Sequence, residues 1–336
     1  MIERVKTISD LALFLSISVK ALQELRPDEH YTTFQIPKPG KKEKRTIETP
    51  KGPLKPILSR ISDSLQWLYS KKKTDAAYGF IRSCGNDTDK RNIFTNASRH
   101  LGKKYLLNID LDSFFYQVDL HKVTNLFNNY SLFSLEPETE KVLTRLVVYH
   151  DRLPMGSPTS PPLSNFATID LDNDLLHWAN RSGFVYTRYV DDLSFSSNLA
   201  ISQTHFSQIT AIMQSHRFMA DPDKIQWFGK NDTKEVTGLV IGKKITVPDD
   251  FIRDFEKDLD NYRKVFAYAH AYPDHHVLEW IEKLGQVIRG RLAFLQMVYG
   301  KENPVYRKLQ NAFGSIGPDE ECEYSMSWRY AGYDHF

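Results

Sequence analysis

The chain has 336 residues, enough for two or three domains and a sizeable core, and its 41% hydrophobic and 26% charged residues exclude the disordered and fibrous classes. No apolar run approaches a membrane span, and the two cysteines, Cys84 and Cys322, lie too far apart for a metal-type pair, which fits a reducing cytoplasm with neither a disulfide framework nor a zinc site. A net charge of +2 excludes a uniformly polycationic protein.

The first 30 residues read as one or two helices. The Leu11-Ala12-Leu13-Phe14-Leu15 run suits an amphipathic helix capped near Ser9 better than a signal peptide. Lys38-Pro39-Gly40-Lys41-Lys42 reads as a basic hairpin tip, followed by a strand over Lys44–Pro50 and a helix from Leu54 to about Tyr69. A polar loop is expected around Gly85-Asn86-Asp87. Lys104–Asp110 is a buried strand ending in a carboxylate, and Ser113 to about Asn128 reads as one helix carrying Phe114, Phe115 and Val118. The prolines and glycine of Leu153–Pro162 forbid regular structure, so the next helix is placed from about Leu163 to Ala179.

Strand, tight turn and strand are then predicted across Gly183–Arg188, Tyr189-Val190-Asp191-Asp192 and Leu193–Ser196, with a helix over Thr204–His216 behind them. A hairpin is expected between Val236–Ile241 and Lys244–Val247, turning at Gly242-Lys243. From Asp249 the pattern is helical to about Phe313, with breaks at Tyr272-Pro273 and Asn303-Pro304. This order predicts an α+β fold, an antiparallel sheet with helices on one face and a helical C-terminal part.

Two features carry chemistry. Between Lys38 and Lys104 there are seventeen lysines and arginines against six acidic residues, whereas Pro318–Phe336 is acidic; a basic N-terminal third suits a phosphate backbone. Two adjacent aspartates at an apolar hairpin tip repel each other unless a divalent cation neutralises them, although Asp is also a common turn residue. Two-metal phosphoryl or nucleotidyl transfer needs a further carboxylate from another strand. Asp110 and Asp112 both qualify, and strand alternation does not choose between them.

Asp110-Leu111-Asp112-Ser113-Phe114-Phe115 and Tyr189-Val190-Asp191-Asp192 resemble the two palm motifs of reverse transcriptases. Leu153-Pro154-Met155-Gly156-Ser157-Pro158-Thr159-Ser160-Pro161 resembles the family's template- and nucleotide-contacting loop. Asn96-Ala97-Ser98-Arg99-His100 and Val236-Thr237-Gly238 resemble the signatures of bacterial retron reverse transcriptases. The joint order and spacing of these motifs, which span nearly the whole chain, carry the resemblance.

The resemblance implies a right-hand polymerase: an N-terminal helical segment (1–30), fingers (31–103), a palm (104–247, with a finger-side insertion near 128–150), a helical thumb (248–318) and an acidic tail (319–336). It implies that Asp110, Leu111, Asp191 and Asp192 hold two Mg²⁺ ions, that Lys224 protonates the leaving pyrophosphate, and that Arg45, Phe115, Met155 and Gly156 bind the incoming deoxynucleotide. Phe115 would exclude the 2′-hydroxyl. Asn96, His100, Val236, Thr237 and Gly238 would bind RNA, and basic residues of the thumb would grip the duplex.

The implied partners are a cognate non-coding RNA, its branched RNA–DNA product (msDNA), deoxynucleoside triphosphates and an effector protein of an anti-phage defence system, with no membrane. An RNA-binding scaffold or antitoxin with catalysis secondary, and another bacterial defence or intron-type reverse transcriptase, are the alternatives. Two departures stand out: Met155 replaces the family's usual glutamine, and Asp221 replaces an asparagine three residues before Lys224.

Overall fold

The computed structural model describes residues 1–37, 44–83, 88–129, 131–271 and 275–316. The basic tip at 38–42, the loop at 85–87, both cysteines, the Tyr272-Pro273 break and the acidic tail therefore lie outside the described residues. The chain divides into two compact units, Met1–Ile245 and Thr246–Phe336.

The first unit begins with helices over Ile8–Leu15 and Val19–Glu24. The first is capped by Thr7, whose hydroxyl accepts from the Asp10 amide while the Asp10 carboxylate accepts from the Thr7 amide, so the cap lies two residues before the expected Ser9. Strands β1 (Tyr31–Pro37) and β2 (Lys44–Pro50) pair antiparallel, and the expected helix follows at Leu54–Ser70. A short helix, Ile93–Ser98, was not legible in the sequence; Asn92 caps it.

Strand β3 (Tyr105–Asp110) leads into a broken segment rather than one helix. Ser113 adopts a left-handed conformation (φ 44°), Phe114–Gln117 form a 3₁₀ turn, and the helix starts afresh at Leu120 with Asp119 as its cap. A helix at Pro137–Val147 fills much of the 128–150 insertion. The next helix starts at Ser160, inside the proline-rich run, because Pro161 and Pro162 occupy the first turn, where a missing N–H costs nothing. It ends at Ala167, and a second helix spans Ile169–Ser182.

Strands β4 (Val185–Tyr189) and β5 (Asp192–Ser197) form the expected hairpin. After the helix Gln203–Ser215, β6 (Gln226–Phe228) adds to β3, so the sheet runs β4-β5-β3-β6 and is antiparallel throughout. Strands β7 (Lys234–Val236) and β8 (Leu239–Ile241) turn at Thr237-Gly238, both with positive φ, inside the run predicted as one strand. Two consecutive left-handed residues make the two-residue turn that matches strand twist.

A single apolar core joins these parts, from Ile2 and Leu11 in the N-terminal helices through Leu58 and Leu65 to Leu107, Leu193 and Phe218. Residues 31–103 are therefore not a separate body among the described residues. The second unit has helices at Asp249–Ala271, His275–Tyr299 and Pro304–Gly314, with Phe255, Leu259, Ile288, Leu295 and Leu309 buried in it. No helix of the described residues is long and apolar enough to cross a membrane.

Candidate active site

The register of β3 against β5 sets Asp110 opposite Asp192, and the Leu111 amide donates to the Asp191 carbonyl (2.9 Å). The carboxylates of Asp110, Asp191 and Asp192 thereby converge, with one oxygen from each within 4.8 Å of the others. Asp112 is exposed and outside this group: its amide bonds the Met219 carbonyl and its carboxylate accepts from Ser113. The structure thus decides between two aspartates that strand alternation left equal.

Burial pushes the Asp191 carboxyl up, with the charge of Asp110 adding to it. Burial also pushes Asp192 up to about 7, helped by Asp191 and Asp110. Three clustered carboxylates, offering oxygen donors alone, fit a hard divalent cation. The Leu111 side chain carries no donor atom, so its main-chain carbonyl is the atom it can offer.

Lys224 places Nζ 2.5 Å from Asp110 Oδ1 and 3.2 Å from Asp221 Oδ2. Burial pulls its pKa down, but the bonds and charges of Asp110 and Asp221 outweigh this and hold it above the ordinary value. The aspartate at 221 thus gives the lysine a second carboxylate, which an asparagine would not.

Arg45 is exposed on β2, and its charge reaches Asp191. Gly156 (φ 124°) lies against the same strand; a Cβ there would stand 2.9 Å from Ile47 Cγ2 and 3.0 Å from the Glu48 carbonyl. The Met155 carbonyl accepts from the Glu48 amide at 2.7 Å. Glu48 is 3% exposed and takes a two-pronged bond from Arg152 (2.8 Å each), whose guanidinium lies 3.5 Å from the Tyr116 ring centre. The loop and the β1–β2 hairpin are thus bolted together beside Tyr116. The Phe115 ring is half-buried and stacks on Phe80 (6.0 Å), whereas Phe114 is a core residue.

The five RNA-binding candidates separate. Asn96 is 1% exposed, and His100 and Val236 are fully buried, so these three side chains present no surface to solvent in this structure. His100 instead bridges the two strands of the Asp191-Asp192 hairpin, 2.7 Å from Ser196 Oγ on β5 and 2.7 Å from Thr187 Oγ1 on β4. Burial, with the charges of Arg99 and Lys103, lowers its pKa to about 3, so the ring is neutral. Thr237 and Gly238 form the accessible tip of the β7–β8 hairpin, and Thr237 Oγ1 bonds the Ile93 carbonyl (3.4 Å).

In the second unit, basic residues pair with acids of the same unit, among them Lys257 with Asp254, Lys264 with Asp260, Arg291 with Asp258, Arg307 with Glu302 and Lys308 with Glu256. Four of these pairs are largely exposed, and exposed pairs contribute little, so their cations can be exchanged to phosphate.

Sequence reading missed the layer under the turn. Arg188, in a strand of otherwise apolar and polar residues, is wholly buried and bonds Asp172 through Nε and Nη2 (2.8 and 2.7 Å). The available signal was Asp172 itself, a charge on the buried face of its helix with Leu175 and Ala179.

Residues 36–241 match the family model "Reverse transcriptase (RNA-dependent DNA polymerase)". The chain is 30% identical over 307 residues to the retron Ec86 reverse transcriptase of Escherichia coli, covering 88% of this chain and 86% of that protein. It is 31% identical over 296 residues to the retron Mx162 reverse transcriptase of Myxococcus xanthus, covering 76% of this chain and 58% of that longer relative. Among solved structures, telomerase from Candida albicans in complex with a fragment of telomeric RNA matches with a TM-score of 0.50 and 12% identity, covering 89% of this chain and 64% of that one, a likeness of fold. The fold is the right-hand polymerase fold, and the chain belongs to the reverse transcriptase family, within its bacterial retron branch.

Proposed function

We propose that this chain copies a structured non-coding RNA, encoded beside it, into DNA by nucleotidyl transfer at Asp110, Asp191 and Asp192. The convergence of these three carboxylates within 4.8 Å carries the reading. Two Mg²⁺ ions, when bound there, would supply activation of the primer hydroxyl and charge neutralisation of the triphosphate. The chain's own residues do the rest. The carboxylates and the Leu111 carbonyl hold the cations, and Arg45 pairs with triphosphate oxygens through its planar fork. Lys224, kept protonated by Asp110 and Asp221, delivers a proton to the leaving pyrophosphate. Residues 31–103 serve as fingers, 104–247 as palm and 248–318 as thumb.

Priming would start from the 2′-hydroxyl of an internal guanosine and leave a branched RNA–DNA. The product would remain with the enzyme and an effector protein in a cytoplasmic anti-phage complex. The test is the purified chain with Mg²⁺, deoxynucleotides and either a DNA primer on an RNA template or the RNA transcribed beside its gene. DNA synthesis on the first and a debranching-sensitive product on the second are expected. No synthesis on either overturns the reading, and synthesis without a branch overturns the priming step.

Phe115, braced by Phe80, would stand under the sugar of the incoming nucleotide. Phe115→Ala is expected to raise ribonucleotide incorporation relative to deoxynucleotide at least tenfold, a difference of about 1.4 kcal/mol. Paired single-nucleotide extension kinetics measure it, and an unchanged ratio in a folded variant places the gate elsewhere.

Selection of the RNA would fall to the β7–β8 tip, where Thr237 is half-buried and Gly238 exposed, rather than to the buried Asn96 and His100. Thr237→Glu, which puts a negative charge where a phosphate would approach, is expected to reduce priming on the cognate RNA several-fold more than extension of a generic primer–template. Equal loss in both assays would remove the tip from RNA selection.

A further inference from the structure

The turn bearing the two catalytic aspartates is held in an unfavourable shape. Val190, its first central residue, has φ 62°, a left-handed conformation that a β-branched side chain resists and where glycine is usual. Nothing in the turn's own sequence stabilises this; the surroundings do.

From beneath, Arg188 Nη1 donates to the Val190 carbonyl (3.0 Å) and to Asn165 Oδ1 (3.1 Å), while its other two nitrogens grip Asp172. Asp172 is held in turn by Tyr186 Oη (2.9 Å) and Thr74 Oγ1 (3.0 Å). Arg188, Asp172 and Asn165 are all fully buried, so the fork cannot swing to solvent. From the other side, the backbone of Gly79 presses on the turn: a Cβ there would come within 2.5 Å of Val190 Cγ2 and 2.6 Å of the Val190 nitrogen. Asn165 joins the two jaws, since its Nδ2 donates to the Gly79 carbonyl (3.0 Å).

We propose that Arg188, fixed by Asp172 and joined through Asn165 to Gly79, is a positioning residue that clamps the Val190 carbonyl and so sets the aim of the Asp191 and Asp192 carboxylates toward their cations. This rests on the reading of those carboxylates as the cation site. A lysine at 188 would keep the buried positive charge, but a single ammonium cannot meet Asp172, Asn165 and the Val190 carbonyl together.

The test uses the full chain and Mn²⁺ as probe, with free Mn²⁺ followed by electron paramagnetic resonance without nucleic acid and primer extension measured in parallel. Arg188→Lys is expected to bind Mn²⁺ about tenfold more weakly and to lose about tenfold in kcat, with KM for the primer–template unchanged. Gly79→Ala, which leaves the buried ion pair intact and pushes a methyl group against Val190, is expected to give the same signature, and it decides the matter if Arg188→Lys does not fold. Folded variants with parental Mn²⁺ affinity and kcat overturn the clamp. So does a loss of activity that only follows the loss of folded protein. Asp191→Asn separates the underlying reading: parental Mn²⁺ binding in that variant overturns the cation site itself, whatever the clamp variants do.

Discussion

Exchange of both Asp191 and Asp192 for asparagine is expected to lower DNA synthesis by about 10³-fold or more, equivalent to about 4 kcal/mol of transition-state stabilisation. The double variant should stay folded, because the turn's shape is held by Arg188 and Gly79 rather than by the two carboxylates. The single change Asp192→Asn has a second expected result. The Asp192 carboxyl is pushed up to about 7 by burial and by Asp191 and Asp110. A carboxyl raised in the folded state contributes stability that is in place below its ordinary value of 3.8 and is lost as pH rises to about 7. At pH 8 the metal-free chain therefore carries the full repulsion. Asp192→Asn should melt above the parent there, by about 2–4 °C for each kcal/mol relieved. The gap should narrow toward pH 5. Thermal melts in a chelator at the two pH values measure this, and synthesis near the parental rate by the folded double variant would remove the carboxylates from catalysis.

The second large effect is expected at His100. Alanine there removes the bridge between β4 and β5 and strands the buried hydroxyls of Thr187 and Ser196. An unmet buried polar group costs about 1–3 kcal/mol, so a loss on the order of 2–4 kcal/mol should appear in urea unfolding at pH 7.5, with cognate-RNA priming and generic extension falling together. The pH dependence has a definite sign. Burial lowers the imidazole from 6.5 to about 3, so the unfolded chain binds the extra proton first and the stability tied to the neutral ring falls as pH drops below about 6.5. His100→Asn keeps polar atoms without titrating and should lack this acid-linked loss. The difference between parent and variant from pH 7.5 to 5.5 isolates the histidine, since Asp192 contributes the opposite slope to both. Parallel curves would mean that the imidazole is not held neutral.

The catalytic hairpin, the long helix at Leu54–Ser70 and the helical C-terminal part were legible because apolar periodicity and local turn chemistry dictate them. The break after Asp110 was not, since Phe114 to Phe127 keeps a helix-like pattern while Ser113 turns left-handed for tertiary reasons. The β7–β8 turn was misplaced because apolar residues flank Thr237-Gly238 and Gly242-Lys243 offers an equally good turn nearby. Strand β6 has three residues, too few for an alternation to register. At the site, the Asp191-Asp192 pair was legible in the residues themselves, whereas Asp110 was told from Asp112 only through the resemblance to the palm motif. The Asp172–Arg188 pair lies 16 residues apart on a helix and a strand, and no local rule joins them. The burial of His100 was also invisible, because a signature reports which residue stands at a position and not whether water reaches it.

The hydrogen bond from the Glu48 amide to the Met155 carbonyl separates scaffolding from tuning. The loop is anchored through main-chain atoms, and Gly156 beside it fits by having no side chain at all. The half-buried side chain at 155 is thus released from any duty in holding the loop. Position 155 behaves as an interchangeable socket, whose side chain can change while the main-chain frame of the loop stays put. Laboratory selection for altered substrate range would find here a place where chemistry can drift at little cost to folding.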